Sequence, residues 1–310
     1  MNSKQTLISI LIPCYNHQEY IEESIQSIWQ QNCEQMEIIA IDDGSTDNTY
    51  TILEKLQQKS PIPMFIRTRE NKGVTQTLNE ALALAQGKYI AVIASDDKYY
   101  PNTFHKLLAM LQEDPSVKLL YLNGRGFDGD TILAKVHHPQ IEQLLKQTPC
   151  QIHQWLLTHV PTPLLTQCAI FDKEMLLAVG GWDSDLGLDD WPLNIKIFQY
   201  LCTNNFSHLY RDIDMTLYRA HDTQTNKNSV KMFTIIKEVI EKYTPPKQRS
   251  KFLSKQLKSY AKNLYATDCK AAQEFLKQEM QNKNISFIDR IKLLFLYIKY
   301  NLKYKKQCKE

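Results

Sequence analysis

The chain has 310 residues, enough for one large core or a core with an appendage, and its 43% hydrophobic and 23% charged content is that of a folded globular protein rather than a disordered one. The net charge of +3 is unevenly placed: Phe287 to Glu310 carries seven Lys/Arg against two acids, leaving about −2 for everything before it. The basic character therefore belongs to a tail and not to a groove in the main body, which argues against a nucleic-acid partner.

The first hundred residues alternate in the way that builds βαβ units. Leu7 to Ile12 reads as a strand and Glu19 to Gln31 as a helix. Glu37 to Ile41 is the next strand, followed by a helix from Asp47 to Gln58 for which Ser45-Thr46-Asp47 offers N-cap candidates. Pro63 to Thr68 is strand-like, and Val74 to Gln86 is a helix that Gly87 should stop as a C′ residue. Lys88 to Ile93 is the fourth strand, and a further helix starts near Pro101.

From about Val117 to Val136 the pattern is a strand and hairpin, with turn residues at Asn123-Gly124 and Asp128-Gly129-Asp130. Gln167 to Phe171 is a strand, Asp172 caps a short helix ending at Gly180-Gly181, Trp191 to Cys202 is helical, and Met215 to Arg219 is a short strand. From about Ser229 the text turns Lys/Gln/Glu-rich with helical apolar spacing, broken by Pro245-Pro246 into at least two helices. The expected organisation is one domain over 1–228, in two halves (about 1–100 and about 101–228), then a helical region over 229–310.

The cysteines (Cys14, Cys33, Cys150, Cys168, Cys202, Cys269, Cys308) are scattered, with no C-x-x-C pair. That spacing predicts neither a disulfide framework nor a structural zinc site and favours a reducing cytosol. No leader pattern opens the chain, and the Leu293 to Ile298 run is too short to span a bilayer.

The chemistry concentrates where strand-like runs end in acids. Ile38 to Ile41 ends in Asp42-Asp43-Gly44-Ser45, and Tyr89 to Ile93 is followed by Ala94-Ser95-Asp96-Asp97. Continuous apolar runs of this length mark buried parallel strands, and ligands bind beyond the carboxyl ends of such strands. Acids gathered there repel one another unless a cation joins them, and a divalent metal with a diphosphate is the natural candidate.

Each piece also has a plainer explanation. Tyr15 either stacks on a flat base or packs its own loop. Asp42 can accept a hydrogen bond from a pyrimidine N–H, and Asp47 alone could make the same loop a helix cap. Asp96-Asp97 is a metal site or an exposed acidic turn. Asp189-Asp190, behind Gly180-Gly181-Trp182-Asp183, offers a general base or a helix N-cap. His221 is a ligand or a surface residue.

Taken together, Pro13-Cys14-Tyr15-Asn16, Ile41 to Asp47, Asn71-Lys72-Gly73, Ser95-Asp96-Asp97, Gly180 to Asp183, Asp189-Asp190-Trp191 and Tyr218-Arg219-Ala220-His221 resemble glycosyltransferase family 2 over about residues 7–222. The resemblance implies an α/β fold of the GT-A (Rossmann-like) kind, with a mostly parallel sheet flanked by helices. It also implies an inverting hexosyl- or N-acetylhexosaminyl-transferase that uses Mn²⁺ or Mg²⁺. The donor would be a nucleotide-diphosphate sugar, commonly UDP-linked, and the acceptor a glycan or lipid-linked saccharide of a bacterial surface polysaccharide. By position, Pro13, Tyr15 and Asp42 hold the base, with Asn16 and Asp43 beside them. Asp96 touches ribose and metal, Asp97 and His221 bind metal, and Lys72 and His221 neutralise the diphosphate. Asp190 is the base, with Asp189 in place of the family's glutamate.

Two departures stand out. Ala94 occupies the place of the first acid of the metal motif, and Leu78 the place of an arginine before Asn79. A nucleotidyltransferase would carry a Gly-rich, Arg/Lys-bearing loop after the first strand, which Pro13 to His17 lacks. A sugar-nucleotide-binding scaffold without activity is the other alternative, and Ala94 is its support. In the tail, Ile288, Ile291, Leu294, Phe295, Ile298 and Leu302 recur at helical spacing among lysines. That suits either a helix lying on the anionic inner face of the cytoplasmic membrane or a core-facing helix with a solvated basic end.

Overall fold

The computed structural model describes residues 7–160, 164–220, 229–267, 269–281, 285 and 287–303. It divides into two compact units, one over residues 1–156 and 161–221 and one over 157–160 and 222–310.

The first unit carries nine strands: β1 (Ile8–Cys14), β2 (Met36–Asp42), β3 (Met64–Thr68), β4 (Tyr89–Val92), β5 (Lys98–Tyr99), β6 (Val117–Asp128), β7 (Thr131–Lys135), β8 (Ala169–Asp172) and β9 (Ser207–Arg219). Its helices are α1 (Ile21–Trp29), α2 (Thr49–Lys59), α3 (Val74–Leu84), α4 (Phe104–Glu113), α5 (Pro139–Leu144), α6 (Pro149–Leu156), α7 (Lys173–Ala178) and α8 (Asp190–Asn204), with a 3₁₀ turn at Thr166–Cys168. The sheet runs β3-β2-β1-β4-β8-β6-β9-β5, with β7 paired to β6.

The parallel character expected of the sheet belongs to its N-terminal half, where β3, β2, β1 and β4 are all parallel. Beyond β4 the sheet is mixed: β8 is antiparallel to both β4 and β6, and β9 is parallel to β6. Strands β1 and β2 are largely apolar and buried on both faces, as central parallel strands must be, with the buried Ser9 hydroxyl donating to Glu37 across them at 2.5 Å. Ile10, Ile12, Ile38, Ala40 and Ala91 form the middle of the core, covered by Ile21, Ile25 and Ile28 of α1 and by Leu53 and Leu56 of α2. The neighbours of β1 are β2 on one side and β4 on the other, so the chain reverses direction across the sheet between β1 and β4. A crevice at such a reversal, at the carboxyl ends of the strands, is where α/β sheets take ligands.

Three local expectations are corrected. Asn123-Gly124 is not a turn: it lies inside β6, at shifts of register against β9, and Asp128-Gly129-Asp130 makes the turn to β7. A Cβ on Gly124 would sit 2.6 Å from the Thr216 carbonyl, so close strand approach explains that glycine. Gly87 does not cap α3, whose C-cap is the extended Ala85; a Cβ there would sit 2.6 Å from Ser9 N of β1. The cysteine reading fails at one pair, because Cys150 and Cys202 form a disulfide with their Cα atoms 4.9 Å apart. Spacing along the chain could not show it: α6 and α8 pack side by side, and Trp191 Nε1 of α8 donates to the Leu156 carbonyl of α6 at 2.9 Å. The disulfide joins the start of α6 to the end of α8, so the two helices run antiparallel and α8 is fastened at both ends.

The second unit is helical, as expected: α9 (Ser229–Tyr243), α10 (Pro246–Thr267), α11 (Cys269–Met280) and α12 (Phe287–Lys303). Its own core gathers Phe233, Leu257, Ala261, Tyr265, Phe275, Leu276 and Leu293. Pro245-Pro246 separates α9 from α10, as the sequence predicted. No helix among the described residues is long and apolar enough to cross a membrane.

Candidate active site

The loop after β1 is held to the loop after β2. Asn16, at φ 53°, accepts from Thr46 N at 2.8 Å and donates its own amide to Ser45 Oγ at 2.9 Å. The Asn16 side chain thus ties the two loops together. Between them Tyr15 stands 46% exposed, free to present a ring face to a ligand.

Asp42 is buried at the end of β2, beside its register partner Cys14. It accepts from Ser45 Oγ, from Ser45 N at 3.2 Å and from Thr68 Oγ1 at 2.7 Å. Asp43 is held by the loop after β3, accepting from Lys72 N at 2.8 Å, Gly73 N at 2.9 Å and the Arg69 guanidinium. Arg69 in turn donates to Glu80 at 2.9 Å and to Thr77 at 2.8 Å on α3. The sequence reading missed Arg69, whose only signal was its place between β3 and the Asn71-Lys72-Gly73 turn. Gly44, at φ +74°, would bring a Cβ within 2.9 Å of Asn71 N, so the turn admits only glycine. The Lys72 side chain is exposed beside this turn.

Across the reversal point, His17 Nδ1 and Ser95 Oγ lie 2.7 Å apart, and His17 Nε2 lies 3.9 Å from Asp96 Oδ2. Nothing in the sequence singles out His17, which sits in the glycine-free loop after β1. Cys14 lies behind these loops. Burial pushes its thiol far up, and Asp42 and Asp96 add to the rise, so both carboxylates act on one buried atom.

Asp97 is buried with both oxygens engaged: Arg219 N donates to one at 2.7 Å and Gln167 Nε2 to the other at 2.7 Å. Burial and the neighbouring Asp96 hold its carboxyl well above the ordinary range. Gln167 also accepts from Ala94 N at 3.2 Å. Asp96 keeps part of its side chain exposed, while its carbonyl accepts from Arg219 Nε at 2.7 Å. The Arg219 guanidinium lies over the Tyr20 and Phe127 rings and donates to Glu23.

The third acidic turn reaches the same place. Thr166 Oγ1 donates to Asp190 Oδ1 at 3.3 Å, and Thr166 adjoins Gln167 in the 3₁₀ turn. Asp189 stands at the N-cap position of α8 without a side-chain capping bond, and Asp190 is the acid of the helix's first turn. Burial pushes Asp189 up and pushes Asp190 well up, with Asp189's charge adding to the rise in Asp190. Burial raises Tyr218 too, and Asp97, Asp96, Asp190 and Asp189 all push it further in the same direction. One phenol therefore feels the carboxylates of both turns. The loop before Asp189 is clasped from α3: Asn79 exchanges hydrogen bonds with Trp182 N and O at 2.8 and 2.7 Å, and a Cβ on Gly181 would strike Asn79. Leu78, where an arginine was the family expectation, is fully buried in the core and takes no part.

The structure thus gathers Tyr15, Asp42, Asp43, Lys72, Asp96, Asp97, Asp189 and Asp190 around the carboxyl ends of the parallel strands, with Pro13 inside β1 and Asn16 as a tie. His221 lies outside the described residues. Among the described residues no three His, Cys, Asp or Glu side chains form a metal cage. The donor set is one partly exposed carboxylate, Asp96, with a second, Asp97, already engaged. That fits a divalent ion shared with a substrate diphosphate, since Mg²⁺ needs only one or two carboxylates beside phosphate oxygens.

The family model described as glycosyl transferase family 2 matches residues 9–175. The chain belongs to this family. It is 25% identical over 193 residues to a poly-β-1,6-N-acetyl-D-glucosamine synthase of Staphylococcus aureus, covering 61% of this chain and 46% of that protein. It is 34% identical over 113 residues to the putative teichuronic acid biosynthesis glycosyltransferase TuaG of Bacillus subtilis, covering 36% of this chain and 45% of that protein. The chain therefore spans about half the length of the curated relatives it matches. In fold it resembles S. aureus TarS 1–349, solved with UDP-GlcNAc, at TM-score 0.65 and 16% identity over 97% of this chain and 92% of that one. It also resembles the mannosyltransferase PcManGT of Pyrobaculum calidifontis, solved with GDP-Man and Mn²⁺, at TM-score 0.58 and 16% identity over 99% and 89%. The fold of this family-2 chain is GT-A.

Proposed function

We propose that this chain is an inverting glycosyltransferase. It would move a sugar, hexosyl or N-acetylhexosaminyl, from a nucleotide-diphosphate donor, UDP-linked by preference, to a hydroxyl of a glycan or lipid-linked saccharide in bacterial surface-polysaccharide synthesis. The observation that carries this is the adjacency of Thr166 and Gln167, which tie Asp190 and the buried Asp97 to one short turn and so bring a base close to the acidic turn that carries Asp96.

In this reading Tyr15 stacks on the base and Asp42 limits the pocket beneath it. Asp96 is the carboxylate that would hold Mn²⁺ or Mg²⁺, and Asp97 fixes the turn that presents it; the metal role expected of Asp97 passes to Asp96. When bound, the ion would neutralise charge on the departing diphosphate. Lys72, on the opposite rim, adds a positive charge there. Asp190, whose proton affinity burial raises above that of an ordinary carboxylate, takes the acceptor hydroxyl's proton, and the freed oxygen attacks the sugar C1 from the face opposite the departing diphosphate. Burial is the main cause of that rise, and the adjacent charge of Asp189 adds to it.

The cytoplasmic placement rests on where a nucleotide-sugar donor would be met. It carries a condition, because in a reducing compartment Cys150 and Cys202 should be found as thiols. Thiol trapping from cells reads this directly.

The experiment that tests the function is donor breakdown across a panel of nucleotide sugars, followed by mass spectrometry with and without Mn²⁺. Release of nucleoside diphosphate supports a transferase. Binding without turnover favours the inactive scaffold that Ala94 suggests.

A further inference from the structure

Helix α12 has two apolar faces. Leu293 is buried in the core of the second unit, and Leu296, Tyr297 and Tyr300 pack against that core. The stripe singled out in the sequence is on the other side: Ile288, Ile291, Leu294, Phe295, Ile298 and Leu302, which Phe287 extends, are between 40% and 76% exposed. At 3.6 residues per turn these seven fall within an arc of about 120°, roughly opposite Leu293 and Tyr300. The core-facing alternative is thereby excluded for this stripe: the helix is seated by other residues.

Charge decides what would cover it. Lys292, Lys299 and Lys303 are exposed and all project along one border of the apolar arc, and the only acid in α12 is Asp289. The sequence continues with Lys305 and Lys306. A second copy docked antiparallel on the stripe would set these lysine rows close together, and a parallel one would leave both rows without an acidic partner, since α12 has no acid besides Asp289. A folded partner would need a groove matched to a convex ridge about 25 Å long. A fluid surface needs no such match, and an anionic one pairs with the lysines.

We propose that the outer face of α12 docks on an anionic lipid surface, with the seven apolar side chains entering the headgroup–acyl boundary and the lysine row at the phosphates. This goes beyond the transferase reading and is independent of it. A lysine near an anionic surface contributes about fivefold to partitioning, so three contribute about a hundredfold.

The test is co-sedimentation of the full chain with vesicles of phosphatidylcholine alone or with about a third phosphatidylglycerol. Pelleting with the anionic vesicles alone, weakened by salt, is expected. Phe295→Gln with Leu294→Gln should abolish it, and Lys292→Gln, Lys299→Gln and Lys303→Gln together should reduce it about a hundredfold. All five positions are exposed, so circular dichroism and donor breakdown should stay as in the parent chain. Equal binding to neutral vesicles, or binding unchanged in both variants, overturns the proposal. So does a dimer in light scattering that Phe295→Gln with Leu294→Gln dissolves, which would assign the stripe to a second copy.

Discussion

Thr166 and Gln167 are neighbours in the chain, yet their side chains grip acids from two distant segments, Asp190 and Asp97. The turn that carries them leads straight into β8, the strand next to β4, so it overhangs the carboxyl end of β4 where Asp96 and Asp97 emerge. A carboxylate as buried as Asp97 needs its partners. Gln167→Ala removes one of them and also leaves Ala94 N without its acceptor. Loss of about 1–3 kcal/mol is expected for the unsatisfied groups, read as a melting temperature lower by several degrees. Turnover should fall with it, because the β4 turn is no longer held. An unchanged melting point would show that Gln167 is incidental.

Asp190→Asn keeps the shape of the side chain and removes its basicity. Transfer should fall by about 10²–10⁴-fold while donor affinity, measured by calorimetry, stays within a factor of about two. Equal losses in both would make Asp190 a binding residue and not the base.

The pH dependence follows from the Asp189–Asp190 pair. Burial and mutual repulsion raise the proton affinity of Asp190, so the base protonates, and transfer declines, at a higher pH than an ordinary carboxylate would dictate. Asp189→Asn deletes the adjacent negative charge. The Asp190 carboxyl should then drop toward its usual range and the acidic limb of the pH–rate profile should move to lower pH. A shift upward, or none, would contradict the pairing.

Gly44→Ala tests the β2 turn. The φ of +74° penalises any Cβ, and the new methyl would meet Asn71 N and the Arg69 carbonyl at 2.9 and 3.0 Å. A cost of about 1–2 kcal/mol for the conformation alone is expected, with more from the clash. Since the same loop holds Asp43, donor affinity should weaken together with thermal stability.

Much of this was legible in the sequence because β1, β2 and β4 are buried on both faces, and burial on both faces writes a continuous apolar run. The acids at their ends were visible for the same reason: nothing apolar follows them. Less was legible where one element answers to another far away. Asn123-Gly124 has the composition of a turn and is a strand segment because β9 approaches it too closely for side chains. Cys150 and Cys202 have no local signature at all. His17 and Arg69 are ordinary loop residues until the β1–β4 crevice and the β2 turn form around them.

The division between Asp96 and Asp97 gives a sharper test of the metal reading than either residue alone. They are adjacent and of the same residue type, so the sequence cannot rank them as ligands, and the family motif draws attention to both. Their surroundings differ: Asp97 is closed in by Gln167 and the Arg219 amide, whereas Asp96 keeps part of its side chain open beside His17. If Asp96 is the ligand, Asp96→Asn should raise the Mn²⁺ concentration needed for half-maximal transfer by at least about tenfold, with the melting temperature hardly moved. Asp97→Asn should do the reverse. An amide in its place can still accept through oxygen from one neighbour, but its NH₂ meets the donating N–H of the other, so stability should drop while the metal response of the remaining activity stays as before. A variant pair in which Asp97→Asn alone loses its response to Mn²⁺ would return the ligand to Asp97, and would require Gln167 and Arg219 to release it when donor and metal bind.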